Sequence, residues 1–244
     1  MWRDIKTYGD YLYCINETGG GLQILNLEQV IYGVSNPTYI ENMNLGFTKA
    51  HNLYIDENGV LYVFGANYSN GGAMMFDLVS SPENPIFLGN YSGMSFAPRF
   101  SPEGKKIIFS LTERGRSNVF IQELENKKKY QITNNKYINT SPYFSPDGKK
   151  IVFSSDRAGK QNLYIKKIVN KFSTAERITF GQGNYATPVW SPRGDYIAFT
   201  KSYKKKFYIG LIKENGKGER LISEGYLADG PSWSPNGRTL TFYK

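Results

Sequence analysis

SPYFSPDGKKIVFSSDRAGKQNLYI, residues 141–165, enters through a Pro-Asp-Gly turn and then holds two apolar runs, KKIVFSS and NLYI, joined by a second polar turn. Both runs are short and rich in β-branched and aromatic residues, so the stretch reads as consecutive strands of a meander. The turn chemistry fits. Proline presets φ at the second turn position, aspartate suits the third, and glycine accepts a positive φ at the end.

The phrase S-P-x-G returns at Ser101, Ser145, Ser191 and Ser234, at spacings of 44, 46 and 43 residues. Each copy follows an aromatic residue (Phe100, Phe144, Trp190, Trp233), and a proline stands three residues before each serine (Pro98, Pro142, Pro188, Pro231). An apolar run follows each turn: KKIIFSL, KKIVFSS, DYIAFTK and RTLTFYK. The first three copies continue into a third and a fourth run. Four short strands in about 44 residues is the signature of a propeller blade. The first ninety residues repeat in other words. YLYCINETGGGLQILNL echoes VLYVFGANYSNGGAMMFDL, and each is followed by Asn-Pro. The sequence thus predicts an all-β, six-bladed β-propeller with four-stranded antiparallel blades and an incomplete last blade. Two blades fall in 1–90 and three and a half in 91–244, together forming a single propeller domain.

Charge divides the chain at the same place. Residues 1–92 carry 3 Lys/Arg and 9 Asp/Glu, a net of −6; residues 93–244 carry 27 and 12, a net of +15. Such a step suggests pieces with different partners. No nucleic-acid-binding signature accompanies the basic part. The single cysteine, Cys14, excludes an internal disulfide and, inside YLYCIN, reads as a small core residue. No run approaches the roughly 20 apolar residues that span a bilayer, so direct membrane insertion is not expected. MWRDIKTYGDY has no apolar signal core, so no signal peptide is expected in this chain.

Candidate chemistry is sparse. One histidine, His51, stands in AHNLYI, and no Ser-His-Asp or Cys-His set, G-x-S-x-G or metal-ligand spacing surrounds it. The expectation is a non-enzymatic protein with no cofactor and no metal, His51 serving a structural hydrogen bond. Gly19–Gly21 reads as a turn, because no helical pattern follows it. Blade geometry supplies a surface instead. Strands alternate in direction, so the link entering each inner strand and the link between second and third strands share one end. That end collects Phe96, Thr140, Ala186 and Asp229, with Arg114, Arg116, Arg157, Lys160 and Lys204 around them. A cationic collar around a less charged mouth is a natural place for a protein partner.

Three passages, GMSFAPRFSPEGKKIIFSL, INTSPYFSPDGKKIVFSSDRAGKQNLYI and ATPVWSPRGDYIAFTK, resemble the TolB family in its alphaproteobacterial form. The resemblance runs from Gly93 onward. Residues 2–90, through WRDIKTYGDYLY, GGGLQILNL, AHNLYIDENG and SPENPIFLG, resemble choice-of-anchor B proteins with LVIVD-type repeats, so the whole looks like a fusion or chimera. The TolB resemblance implies a periplasmic scaffold that docks an envelope lipoprotein such as Pal, with Met94, Ala97 and Thr140 at the family's Pal-sensitive positions. The family's TolA contact is not carried over by this resemblance, since the family's N-terminal domain has no counterpart in this sequence. The alternatives are a chimeric or artificial propeller with no retained function, and a surface or secreted ligand-binding propeller. An open edge at Thr239–Tyr243 would invite self-association.

Overall fold

The computed structural model describes residues 3–42, 45–55, 59–68, 71–90, 94–113, 115–134, 136–168 and 173–243; the side chains of residues 3, 42, 94 and 96 lie outside the described set. The chain forms two compact units, one of Met1–Ala97 with Leu111–Glu113, the other of Pro98–Ser110 with Arg114–Lys244.

The first unit holds two four-stranded antiparallel sheets, each in chain order. One is β1 (Arg3–Tyr8), β2 (Tyr11–Asn16), β3 (Leu22–Asn26) and β4 (Tyr39–Asn42). A single helical turn, α1 (Leu27–Ile31), leads into β4; the Asn26 side chain caps it by accepting from Gln29 N. Strand periodicity gives no sign of this turn. The other sheet is β5 (Asn52–Ile55), β6 (Val60–Phe64), β7 (Met74–Asp77) and β8 (Ile86–Asn90). Tyr13, Ile15, Leu22 and Ile24 pack against Leu53, Leu61, Val63 and Phe76 between the two sheets. Each fully buried side chain of this kind contributes roughly 1.5–3 kcal/mol. Cys14 is buried, as its apolar setting suggests. Gly19, Gly20 and Gly21 all adopt positive φ, which confirms a turn.

The third sheet is β9 (Met94–Phe100), β10 (Lys106–Glu113), β11 (Arg116–Glu123) and β12 (Lys129–Gln131), and the division between units falls within it. The second unit continues with β13 (Asn139–Phe144), β14 (Lys150–Ser155), β15 (Asn162–Lys167) and β16 (Ala175–Arg177), then β17 (Asn184–Trp190), β18 (Ile197–Tyr203), β19 (Lys206–Ile212) and β20 (Arg220–Gly225). Among the described residues the last sheet has two strands, β21 (Asp229–Trp233) and β22 (Leu240–Tyr243). Apolar layers separate successive sheets. Ile108, Val119 and Ile121 meet Phe144, Ile151 and Phe153; Val152, Leu163 and Ile165 meet Trp190, Ile197 and Phe199. Sheets covered on both faces explain why β14 is buried at five consecutive positions.

The S-P-x-G turns hold as the residue types require. Gly104, Gly148, Gly194 and Gly237 adopt positive φ, and each donates its N–H to the carbonyl of the turn's serine at 2.8–2.9 Å. The serine does more than start the turn. Ser145 Oγ accepts from Lys150 N at 2.9 Å and donates to Asp147 Oδ1 at 2.5 Å. Asp147 also accepts from Lys149 N at 3.0 Å, so its carboxylate is occupied in closing the turn.

Candidate functional site

The inner strands β13, β17 and β21 all begin irregularly. Their registers with β14, β18 and β22 shift between Thr140 and Tyr143, between Ala186 and Val189, and between Asp229 and Ser232. Each gap contains a left-handed residue followed by proline: Ser141 (φ 51), Thr187 (φ 44) and Gly230 (φ 63). Ala97 (φ 54), before Pro98 in β9, adopts the same conformation. Proline lacks the N–H that the ladder would use, which favours a bulge at this point. A left-handed φ costs an L-residue roughly 1–2 kcal/mol, and a β-branched residue such as Thr187 is a genuine outlier there. Backbone strain that recurs at one place in a repeat must be held by its surroundings.

A hydroxyl of the preceding sheet reaches each strand start, at the strained residue itself for Ser141 and at a neighbour of it in β17 and β21. Ser141 N–H donates to Ser110 Oγ of β10 at 3.1 Å. Ser154 Oγ of β14 donates to the Tyr185 carbonyl of β17 at 2.9 Å. Thr200 Oγ1 of β18 donates to Asp229 Oδ1 of β21 at 2.6 Å and lies 2.7 Å from Thr187 Oγ1. These three residues occupy one position in FSL, FSS and FTK. That recurrence was the available signal, though alternation alone assigns the hydroxyls no task.

Thr140 and Ala186 are half-buried beside the strained residues, and Asp229 is exposed but tied to Thr200 and Thr187. Ala97 is half-buried within the first unit. Met94 and Phe96 lie on β9, with side chains outside the described residues.

The collar is less free than its formal charges suggest. Arg157 donates to Asn139 Oδ1 at 2.9 Å and Ser155 Oγ at 3.0 Å, and its guanidinium lies 4.5 Å from the Tyr164 ring centroid. Burial pushes its pKa below the ordinary arginine value. Arg157 is therefore a clamp between strands as much as a surface charge. Arg177 repeats the device on the next strand pair, donating to Asn162 Oδ1 at 3.0 Å and the Thr179 carbonyl at 2.5 Å. Lys160 reaches the Gly181 carbonyl at 3.2 Å, whereas Arg116 is exposed at the start of β11. Arg114 lies outside the described residues. Lys204 and Lys205 form the exposed two-residue loop between β18 and β19, both with positive φ (49 and 63). Such a loop normally takes Asn-Gly.

Sequence reasoning also missed a triad in which the buried Lys201 and Tyr185 meet the more exposed Glu219. Lys201 Nζ lies 2.8 Å from Tyr185 Oη and 2.9 Å from Glu219 Oε1, and Tyr185 Oη donates to Glu219 at 2.7 Å. Burial acts to lower the Lys201 pKa, but the bonds to Tyr185 and Glu219 outweigh it and leave the pKa raised. Burial raises that of Tyr185. In the first unit, His51 hydrogen-bonds Glu17, a structural contact of the expected kind. Among the described residues no group of three or more His, Cys, Asp and Glu is placed to hold a metal ion. The face can present small and hydroxylic side chains on a strained, well-braced backbone, ringed by partly committed cations.

Residues 66–244 match the TolB beta propeller domain family. The Tol-Pal system protein TolB of Gluconobacter oxydans is 51% identical over 168 residues, covering 69% of this chain and 36% of that protein. That of Wolbachia pipientis wMel is 62% identical over 56 residues, covering 23% of this chain and 13% of its own. The chain thus spans about a third or less of the length of these curated relatives. Among solved structures, TolB from Acinetobacter baumannii aligns with a TM-score of 0.69 at 21% identity, over 95% of this chain and 58% of that one. Puromycin hydrolase aligns with a TM-score of 0.64 at 13% identity, over 87% of this chain and 36% of that one. At these identities the structural likeness speaks for the fold alone.

Proposed function

The chain belongs to the TolB β-propeller family, and from that premise we propose that it is a non-enzymatic docking scaffold of the Tol–Pal type. Its partner would be an envelope lipoprotein of the Pal class, met in the periplasm at the starts of the inner strands. The observation that carries the reading is the repeated left-handed residue before proline at Ser141, Thr187 and Gly230, on strand starts that a hydroxyl of the preceding sheet contacts at Ser141, Tyr185 and Asp229. A rigid mouth of small side chains at Thr140 and Ala186 suits insertion of a partner's loop, since preorganisation lowers the ordering cost of binding. Met94, Phe96, Ala97 and Asp229 complete the proposed footprint, with Arg157 and Lys204 at its margin. We also propose that both units belong to one six-bladed ring whose last blade is two-stranded; fold likeness over 95% of the chain to one TolB supports this.

The test is titration calorimetry of the folded chain with purified Pal at low and physiological salt. Binding is expected at both, and Thr140→Trp or Ala186→Trp should abolish it by filling the mouth. Lys204→Glu should change the association rate and its salt dependence more than the dissociation rate. A folded chain with no detectable binding at either salt would favour a second reading, a fused propeller with no retained function. The charge step from −6 to +15 is what favours that alternative.

A further inference from the structure

Four loops of the second unit lie side by side next to the starts of β13 and β17. Ile138, in the link from β12 to β13, donates its N–H to Asp156 Oδ1 at 2.9 Å. Asp156, in the β14–β15 hairpin, returns its own N–H to the Ile138 carbonyl at 3.3 Å. The same hairpin meets the link from β16 to β17. Lys160 donates to the Gly181 carbonyl at 3.2 Å, and Gln161 N–H donates to Asn184 Oδ1 at 3.3 Å. Gly183 of that link approaches β18 so closely that a Cβ there would stand 2.4 Å from the Ser202 carbonyl oxygen, just before the Lys204–Lys205 loop. The four loops therefore make one continuous arc.

Two features recur along it. Large apolar side chains stand in solvent, Ile138 at 45% and Phe180 at 70% exposure. Cations lie over aromatic rings: Lys136 is 5.7 Å from the Tyr137 centroid, Arg177 is 4.9 Å from that of Phe180, and Lys204 is 5.4 Å from that of Tyr203. The charge is one-sided. Residues 136–138, 156–160, 178–184 and 203–205 carry Lys136, Arg157, Lys160, Lys204 and Lys205 against a single acid, Asp156, which is occupied by the Ile138 N–H. An exposed isoleucine neither stacks on a base nor forms hydrogen bonds, so a nucleic acid would leave it uncovered. An added peptide strand needs a free ladder edge, and here the loops' backbone groups bond one another. A bilayer surface with anionic headgroups satisfies both features. Apolar tips enter the boundary between headgroups and acyl chains, while lysines stay at headgroup level.

We propose that this arc is a peripheral docking surface for a bilayer containing anionic lipid. Ile138 and Phe180 enter the interface, and Lys136, Lys160, Lys204 and Lys205 meet the headgroups. The contact lies on the membrane and does not span it. The arc borders the mouth at Thr140 and Ala186 and shares Arg157 and Lys204 with the Pal-type footprint. It needs no partner protein, so its test and that of Pal docking succeed or fail separately.

The experiment is co-sedimentation of the intact chain with vesicles at low and physiological salt. One set is phosphatidylcholine alone, the other an equimolar mixture of phosphatidylcholine and phosphatidylglycerol. The chain should bind the mixed vesicles, more tightly as salt falls, and leave the neutral ones in suspension. Lys136→Gln combined with Lys205→Gln should weaken binding about tenfold or more, and Phe180→Ser should weaken it about tenfold. All three positions are exposed and lie outside the Pal-type footprint, and circular dichroism checks that each variant is folded. Equal binding to the two vesicle types, or binding indifferent to both variants, would overturn the proposal. So would a folded chain that ignores the mixed vesicles, whether or not it captures polyglutamate or oligothymidylate instead.

Discussion

The inner strands of the first unit, β1 and β5, pair with their neighbours in unbroken register, whereas β13, β17 and β21 of the second unit are each interrupted near their start. Both units nevertheless build four-stranded antiparallel sheets around buried apolar layers. The fold does not require the strained residue before proline, since the sheets begun by β1 and β5 do without it. Their turns differ as well. Asn16 Oδ1 accepts from Thr18 N and Gly19 N, and Asn67 Oδ1 accepts from Thr48 N and Lys49 N, work done later by Ser145 and Asp147. Turn satisfaction is thus interchangeable between residue types. The strained starts are peculiar to the S-P-x-G blades, and backbone strain the fold can do without is a pointer to a site.

The sharpest contrast should come from two glycines. A Cβ at Gly183, where φ is 91, would stand 2.4 Å from the Ser202 carbonyl oxygen, while at Gly9, with φ 54, it would meet nothing within 4 Å. Gly183→Ala should destabilise the chain by about 3 kcal/mol, combining a steric clash with the left-handed penalty. Gly9→Ala should cost about 1 kcal/mol. Denaturant titration distinguishes them, and equal losses would show that the second unit's tight approach to β18 carries no energetic weight.

Next comes relief of strain. Ser141→Gly should stabilise the chain by about 1 kcal/mol, because glycine accepts φ 51 and the bond from residue 141 N to Ser110 Oγ survives. Glycine at Tyr54 in the regular strand β5 should do the opposite. A loss of stability at Ser141→Gly would mean that its conformation is not strained. Replacing Lys204 and Lys205 with Asn-Gly should raise stability by somewhat less, on the order of 0.5–1 kcal/mol, by fitting the hairpin loop.

The smallest effect concerns pH. Lys201 has a raised folded pKa, so its contribution is fully present below the ordinary lysine value of about 10.4 and fades as pH rises through the folded value. Tyr185, also raised, acts in the same direction. Lys201→Met should flatten the decline in stability across this alkaline window. Chemical denaturation at a series of pH values checks this, and an unchanged slope would remove the triad as its source.

Much of this architecture was legible in the residues. S-P-x-G with its following apolar run located the turns and strands of the second unit, because proline and glycine impose their dihedrals wherever they stand. Thr140, Ala186 and Asp229 were placed at the strand starts by counting strands. The conformations of Ser141 and Thr187 were not legible, since serine and threonine ordinarily avoid positive φ and only the braced bulge overrides that preference. Arg157 reads in sequence as a surface charge; the rings of Phe153 and Tyr164 and the Asn139 side chain, all distant or alternating in sequence, make it a clamp. The Lys201–Tyr185–Glu219 triad joins residues 16 and 34 positions apart, beyond the reach of local patterning.

The docking reading is tested most directly by hydrogen–deuterium exchange of the chain with and without purified Pal. The account predicts added protection at residues 139–143, 184–189 and 229–233, the strained starts of β13, β17 and β21, with β1–β4 unchanged. Protection confined to the first unit, or exchange that Pal leaves unaltered throughout, would contradict it.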